Sequence, residues 1–97
     1  MTVMLTLTTH ARQQMARRAV SEAMLLATLD NGDEYRQKGG TFAYFMSRRA
    51  VVKTITQGLQ VPDCEGLTII VSPGDDGLLV VTCHWEGKGG KLTRRIG

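Results

Sequence analysis

The sequence predicts an α+β domain in which two N-terminal helices pack on one face of a three- to four-stranded antiparallel sheet. Three observations carry this reading. The chain opens on alternating apolar and polar residues. Two short stretches with helix caps and four-residue apolar spacing come next. The second half ends in two apolar, β-branched runs joined by a tight turn.

In the opening stretch "TVMLTLT", Val3, Leu5 and Leu7 fall on one side and Thr2, Thr6 and Thr8 on the other, the period of a half-buried strand. Thr9 is read as the cap of a first helix, along which Ala11, Met15 and Ala19 recur every four residues as a narrow apolar stripe. Arg12 and Arg18 flank that stripe, and His10, Gln14 and Arg17 share an adjoining face. Ser21 caps a second helix, with Val20 and Leu25 as a hydrophobic staple and Met24, Leu25, Thr28 and Leu29 as its buried side. "DNG" at 30–32 ends it through residues that tolerate the left-handed conformation.

"YRQKGGTFAYFM" reads as extended chain, with Gly39 and Gly40 marking a turn or a bulge and a strand over 41–46. Residues 47–58 are ambiguous. Val51, Val52 and Ile55 suit a strand, but Ser47 as a cap, the spacing of Val51, Ile55 and Leu59, and Gly58 as a stop favour a helix. "LTIIVS" is a central strand, "PGDDG" a hairpin turn, and "LLVVTCHW" its partner. Strict alternation there places Leu79, Val81, Cys83 and Trp85 on one face, with Leu78, Val80, Thr82 and His84 on the other. Residues 86–97, rich in Gly, Lys and Arg, read as a flexible basic tail of the single domain 1–97.

Composition narrows the function classes. A chain of 97 residues supports one modest core. No apolar run is long enough to span a bilayer, and the first ten residues lack the pattern of a secretion signal, so a cytoplasmic protein with no membrane role is expected. Two cysteines are too few for a disulfide framework and are read as free thiols, with Cys83 in the core. The net charge of +3 is unevenly spread, with Arg12, Arg17 and Arg18 near one end and Lys88, Lys91, Arg94 and Arg95 near the other. The first helix carries its cations beside an already positive helix N-terminus, with no acid before Glu22, an arrangement suited to an anionic partner such as RNA.

Several chemistries are disfavoured. His10, His84, Cys64 and Cys83 nominally make a zinc set, but no pair has ligand spacing, and neither a metal nor another cofactor is expected. "GKGG" lacks the Ser or Thr of a phosphate-binding loop, and there is no nucleophile elbow. What remains is metal-free phosphodiester chemistry. His10 and His84 are the candidate catalytic acid and base, and Arg12, Arg17, Arg18, Arg94 and Arg95 are the candidate phosphate ligands.

"THARQQMARRAVS", the second short helix and the late "LLVVTCHW" together resemble a family of small uncharacterised bacterial domains. Its pattern is His-Ala-x-x-Arg-Met-x-x-Arg-Gly-Ile near the N-terminus and a Val-x-Thr-x strand near the C-terminus. The match falls on His10, Ala11, Met15, Arg18, Val20 and Thr82, with Ala19 where Gly is usual and Gln14 where the first arginine stands. These domains look similar to BrnT-like and RelE-like toxins of toxin–antitoxin pairs. The resemblance implies a RelE-like fold, a metal-independent endoribonuclease acting on RNA such as ribosome-associated mRNA, and a cognate antitoxin as partner. Gln14 implies a weakened phosphate contact at that position. Two readings compete with the enzyme: a non-catalytic module that holds nucleic acid or a partner protein through the same cations, and a scaffold whose helix pair docks a partner.

Overall fold

The computed structural model describes residues 4–75 and 77–86. In chain order the elements are β1 (Met4–Leu7), α1 (Thr9–Arg17), α2 (Glu22–Asn31), β2 (Asp33–Arg36), β3 (Phe42–Phe45), α3 (Arg48–Thr56), β4 (Leu67–Pro73) and β5 (Gly77–Trp85). The fold is α+β, as predicted, but it has three helices and one five-stranded mixed sheet in the order β1-β5-β4-β3-β2. Two corrections to the expected sheet follow. β1 pairs parallel to β5, from Met4 opposite Gly77 to Leu7 opposite Val80. The polar stretch Asp-Glu-Tyr-Arg forms the edge strand β2, antiparallel to β3.

The helix boundaries follow from capping chemistry. Thr8, not Thr9, caps α1: its side-chain oxygen accepts the Ala11 N–H at 2.9 Å. α1 ends at Arg17 with a left-handed turn in which Val20 N–H donates to the Met15 carbonyl at 2.9 Å and Ala19 N–H to that of Ala16 at 3.5 Å. These are the two bonds of a Schellman motif, and Ala19 occupies its left-handed position at φ 57°. The expected stripe therefore stops at Met15. Ala19 lies outside the helix and is exposed.

Ser21 caps α2 as expected, its hydroxyl accepting Met24 N–H at 3.1 Å while its own N–H donates to the Met24 sulfur at 3.3 Å. Val20 and Leu25 are both buried in the core. α2 stops at Gly32, which is extended (φ −72°, ψ 164°) rather than left-handed. Glycine is required there for a different reason: a Cβ would lie 2.6 Å from the Thr28 carbonyl oxygen. The ambiguous 47–58 segment is helical, because the Ser47 hydroxyl accepts Ala50 N–H at 3.0 Å and starts α3.

The core lies between α1, α2 and one face of the sheet. Leu67, Ile69 and Val71 of β4 are fully buried with Ala11 of α1, Leu25 of α2 and Val80 of β5. Removing the side chain of such a residue costs roughly 2–5 kcal/mol, so this cluster holds the helices on the sheet. On β5 the strict alternation fails. Ile70 pairs with Thr82 but Val71 pairs with Val80, so Val81 is an extra residue in a β-bulge. Val80 and Cys83, three apart, therefore share the buried face, with Trp85 packed beside them. Cys83 is a core thiol as expected, and both cysteines are free. His84 does point away from Cys83, but its companions on the other face differ from those that simple alternation assigns. Of the stretch 86–97 read as a tail, only Glu86 is among the described residues, its N–H donating to the Gly66 carbonyl at 2.8 Å; the rest, with Arg94 and Arg95, lies outside them.

Candidate functional site

The sheet face away from α1 and α2 carries two cross-strand rows. One runs Asp33–Phe45–Thr68–His84 and the next Tyr35–Ala43–Ile70–Thr82. Ala43 is the smallest side chain in either row, so the surface dips there between larger neighbours. The dip belongs to a groove of about 460 Å³ lined by Tyr35, Ala43, Phe45, Thr68, Ile70, His84 and Glu86, with Arg36 and Gln37 also contributing. That volume lies in the range of small-molecule sites.

At one side of the groove, His84 Nε2 lies 2.5 Å from Glu86 Oε2. The geometry is a consequence of strand periodicity, since residues two apart share a face, and the Gly66 bond holds Glu86 in register beyond the end of β5. The His84 side chain is 38% exposed and that of Glu86 20%, so the pair is reachable yet partly shielded from solvent screening. A carboxylate in this position fixes the ring orientation. With Nε2 engaged, Nδ1 is the nitrogen left to exchange a proton with a ligand.

Opposite this pair stands Tyr35, whose hydroxyl is pushed above its ordinary range by burial and by the Asp33 carboxylate, partly offset by Arg49. The phenol therefore stays protonated and serves as a neutral hydrogen-bonding group. At the floor, Thr68 Oγ1 is buried and has no hydrogen-bond partner among the described residues. Arg36, next along β2, turns its guanidinium to the other face, 5.8 Å from the centre of the Phe42 ring, which packs against the core.

The predicted site residues are dispersed. His84 lines the groove, whereas His10 sits exposed in the first turn of α1, on the helix-bearing side of the sheet. The two histidines do not form one acid–base centre. Arg12 and Arg17 are exposed on α1, and none of the α1 arginines lines the groove. Arg18 Nε donates to Gln14 Oε1 at 2.8 Å, and its backbone carbonyl accepts the Trp85 indole N–H at 2.8 Å. Arg18 also lines a second cleft with Asp63, Glu65 and Glu86, which places acids beside the cation. Glu86 thus borders both cavities. Among the described residues no three His, Cys, Asp or Glu side chains are grouped to hold a metal, and no helix is long and apolar enough to cross a membrane.

Sequence reasoning missed Glu86, Tyr35 and Thr68. Glu86 had a local signal, its i, i+2 spacing from His84. Tyr35 and Thr68 reach the groove only through pairing across strands distant in sequence.

A helical layer on one face of a mixed sheet, with a histidine–carboxylate pair in a groove on the other, defines a small α+β domain with a single-sided site. The chain belongs to the family described as Domain of unknown function (DUF4258), which matches residues 7–85 and so covers every element from the end of β1 to the end of β5. No curated protein and no solved structure matches the chain.

Proposed function

We propose that the protein is a metal-independent endoribonuclease of RelE-like or BrnT-like toxin type, with its reaction centre in the sheet groove. The observation that supports this most is the His84–Glu86 pair at 2.5 Å on the wall of the groove. His84 takes the proton of an RNA 2′-hydroxyl. The 2′-oxygen then attacks phosphorus, the P–O5′ bond breaks, and the 5′-oxygen leaves with a proton from water, giving a 2′,3′-cyclic phosphate and a 5′-hydroxyl. Glu86 offsets the charge that His84 takes on with the proton, and hydrogen-bond donors of the groove stabilise the phosphorane oxygens. The α1 cations Arg12 and Arg17 serve RNA or a cognate antitoxin outside this centre, and Arg94 and Arg95 are further phosphate ligands by residue type. His10 has no part in the chemistry.

The deciding experiment incubates the protein with RNA in chelator, with and without ribosomes, and compares His84→Ala with His10→Ala. Cleavage should fall by about 10²–10⁴ for His84→Ala and persist for His10→Ala. No cleavage by the unmutated protein under either condition overturns the enzyme reading. The separation of the two histidines favours the non-catalytic binding module as the second reading. That module predicts RNA binding that weakens steeply with salt and survives both substitutions.

A further inference from the structure

Thr68 lies mid-groove, between Phe45 on one side of its row and His84 on the other. It is only 4% exposed, and its hydroxyl makes no hydrogen bond among the described residues. A buried hydroxyl without a partner carries a desolvation cost, one that valine in the same space would avoid. The neighbouring row supplies the shape. Ala43 leaves a slot, Tyr35 and Ile70 are its partners on the adjacent strands, and Phe45 follows two residues along β3. The slot therefore has aromatic rings at its sides, an apolar base, one hydroxyl with unused donor and acceptor capacity, and an imidazole adjoining that hydroxyl.

A ligand complementary to these features has a flat π-system, polar atoms on its edge, and an attached group that reaches the histidine. A nucleobase carrying its ribose and phosphate has all three. Aliphatic acids and simple phosphates lack the flat face, and a plain aromatic ring lacks the polar edge that Thr68 would satisfy. We infer that the groove is a subsite for one unpaired nucleobase, packed against Tyr35 and Phe45 with its edge hydrogen-bonded to Thr68 Oγ1, so that its sugar-phosphate lies against His84. This rests on the ribonuclease reading for its biological ligand and extends it to how one nucleotide of single-stranded RNA is seated.

The test is an NMR titration of the full chain with each of the four ribonucleoside 5′-monophosphates and, as the baseless control, ribose 5-phosphate. Nucleotides should shift the amides of Ala43, Thr68 and His84, and ribose 5-phosphate should leave those of Ala43 and Thr68 in place. Thr68→Val should fold at least as stably as the unmutated chain yet bind the preferred nucleotide about tenfold more weakly. Thr68→Ser, which keeps the hydroxyl, should bind within a factor of about three. An equal response to ribose 5-phosphate, or undiminished binding by Thr68→Val, overturns the inference. The two readings fail separately. Nucleotides that bind while RNA stays uncut in chelator overturn only the enzyme. RNA that is cut while no nucleotide shifts the groove amides overturns only the base subsite.

Discussion

The Thr8 hydroxyl donates to the Val81 carbonyl at 3.1 Å while its oxygen accepts the Ala11 N–H at 2.9 Å. One side chain thus starts α1 and binds a carbonyl of the β5 bulge. The bulge is what turns Cys83 into the core and His84 into the groove, so Thr8 ties the helix to the geometry of the candidate site.

Replacing Thr8 with Val keeps the β-branched shape and removes both bonds. The expected loss is about 2 kcal/mol, combining a helix cap with a tertiary hydrogen bond. Thermal unfolding should show a fall of roughly 10 °C for a chain of this size. Thr8→Ser should recover most of it. A Thr8→Val variant as stable as the unmutated chain would show that the bulge carbonyl is satisfied without this contact.

Ala19 occupies at φ 57° a conformation that disfavours a Cβ. Gly at this position removes the strain but enlarges the conformational freedom of the unfolded chain, so the net gain of Ala19→Gly is about 0.5–1 kcal/mol. Denaturant unfolding checks it through a raised midpoint at unchanged slope. A lower midpoint would show that Ala19 makes a contact worth more than its backbone strain.

Ser47 and Arg49 both engage the Asp33 carboxylate, the hydroxyl at 2.7 Å and the guanidinium at 3.8 Å. Their contributions should differ. Ser47 also caps α3, and Ser47→Ala should cost about 1 kcal/mol or more. The Arg49 side chain is 85% exposed, and Arg49→Ala should change stability by less than about 0.5 kcal/mol. Chemical denaturation of the two variants in parallel would contradict this ranking if Arg49→Ala proved the more damaging.

Burial pushes the Cys64 and Cys83 thiols above their ordinary value of 9.0, with Asp63 adding to the rise at Cys64; Thr28 at Cys64 and Arg18 at Cys83 act in the opposite direction. Burial likewise raises Tyr44, helped by the charge and hydrogen bond of Glu34. Each group binds its proton more tightly in the folded chain than in the unfolded one. Its contribution is therefore complete below the unfolded pKa and is lost as pH rises through the folded value. Stability should stay level through neutrality as far as these groups are concerned, and fall above about pH 9. Denaturant midpoints from pH 7 to 10.5 measure it. Cys64→Ala/Cys83→Ser should flatten the first part of the decline, and an identical decline in that variant would assign it to other groups.

Local chemistry was legible in the sequence, and distant pairing was not. Ser21 and Ser47 announced α2 and α3 because a cap acts within three residues. β4 and β5 announced themselves by β-branched runs around a turn. β2 gave no such signal: three of its four residues are charged, and it is a strand only because β3 offers a ladder. The parallel β1–β5 pair joins residues more than seventy positions apart, beyond any local pattern. At the site, His84 stood out by residue type, but the face it occupies depended on an unforeseen bulge, and Thr68 and Tyr35 became its neighbours through register alone.

Gly77 is where that distant pairing can be broken selectively. Its φ is 152°, and a Cβ there would lie 2.0 Å from the Met4 carbonyl oxygen, inside any tolerable contact with backbone. Gly77→Ala must therefore displace β1 or distort the start of β5. β1 is an edge strand of four residues that hydrogen-bonds to β5 alone, so its release is the cheaper response. Displacing it withdraws Leu5 and Leu7 from the core margin, a loss of about 2 kcal/mol or more. Hydrogen exchange distinguishes the two responses. Amides of Leu5–Leu7 should exchange much faster in Gly77→Ala while those of Ile69 and Cys83, in the β4–β5 ladder, stay protected. Equal acceleration across both strands would instead mean that β1 and the hairpin open as one cooperative unit.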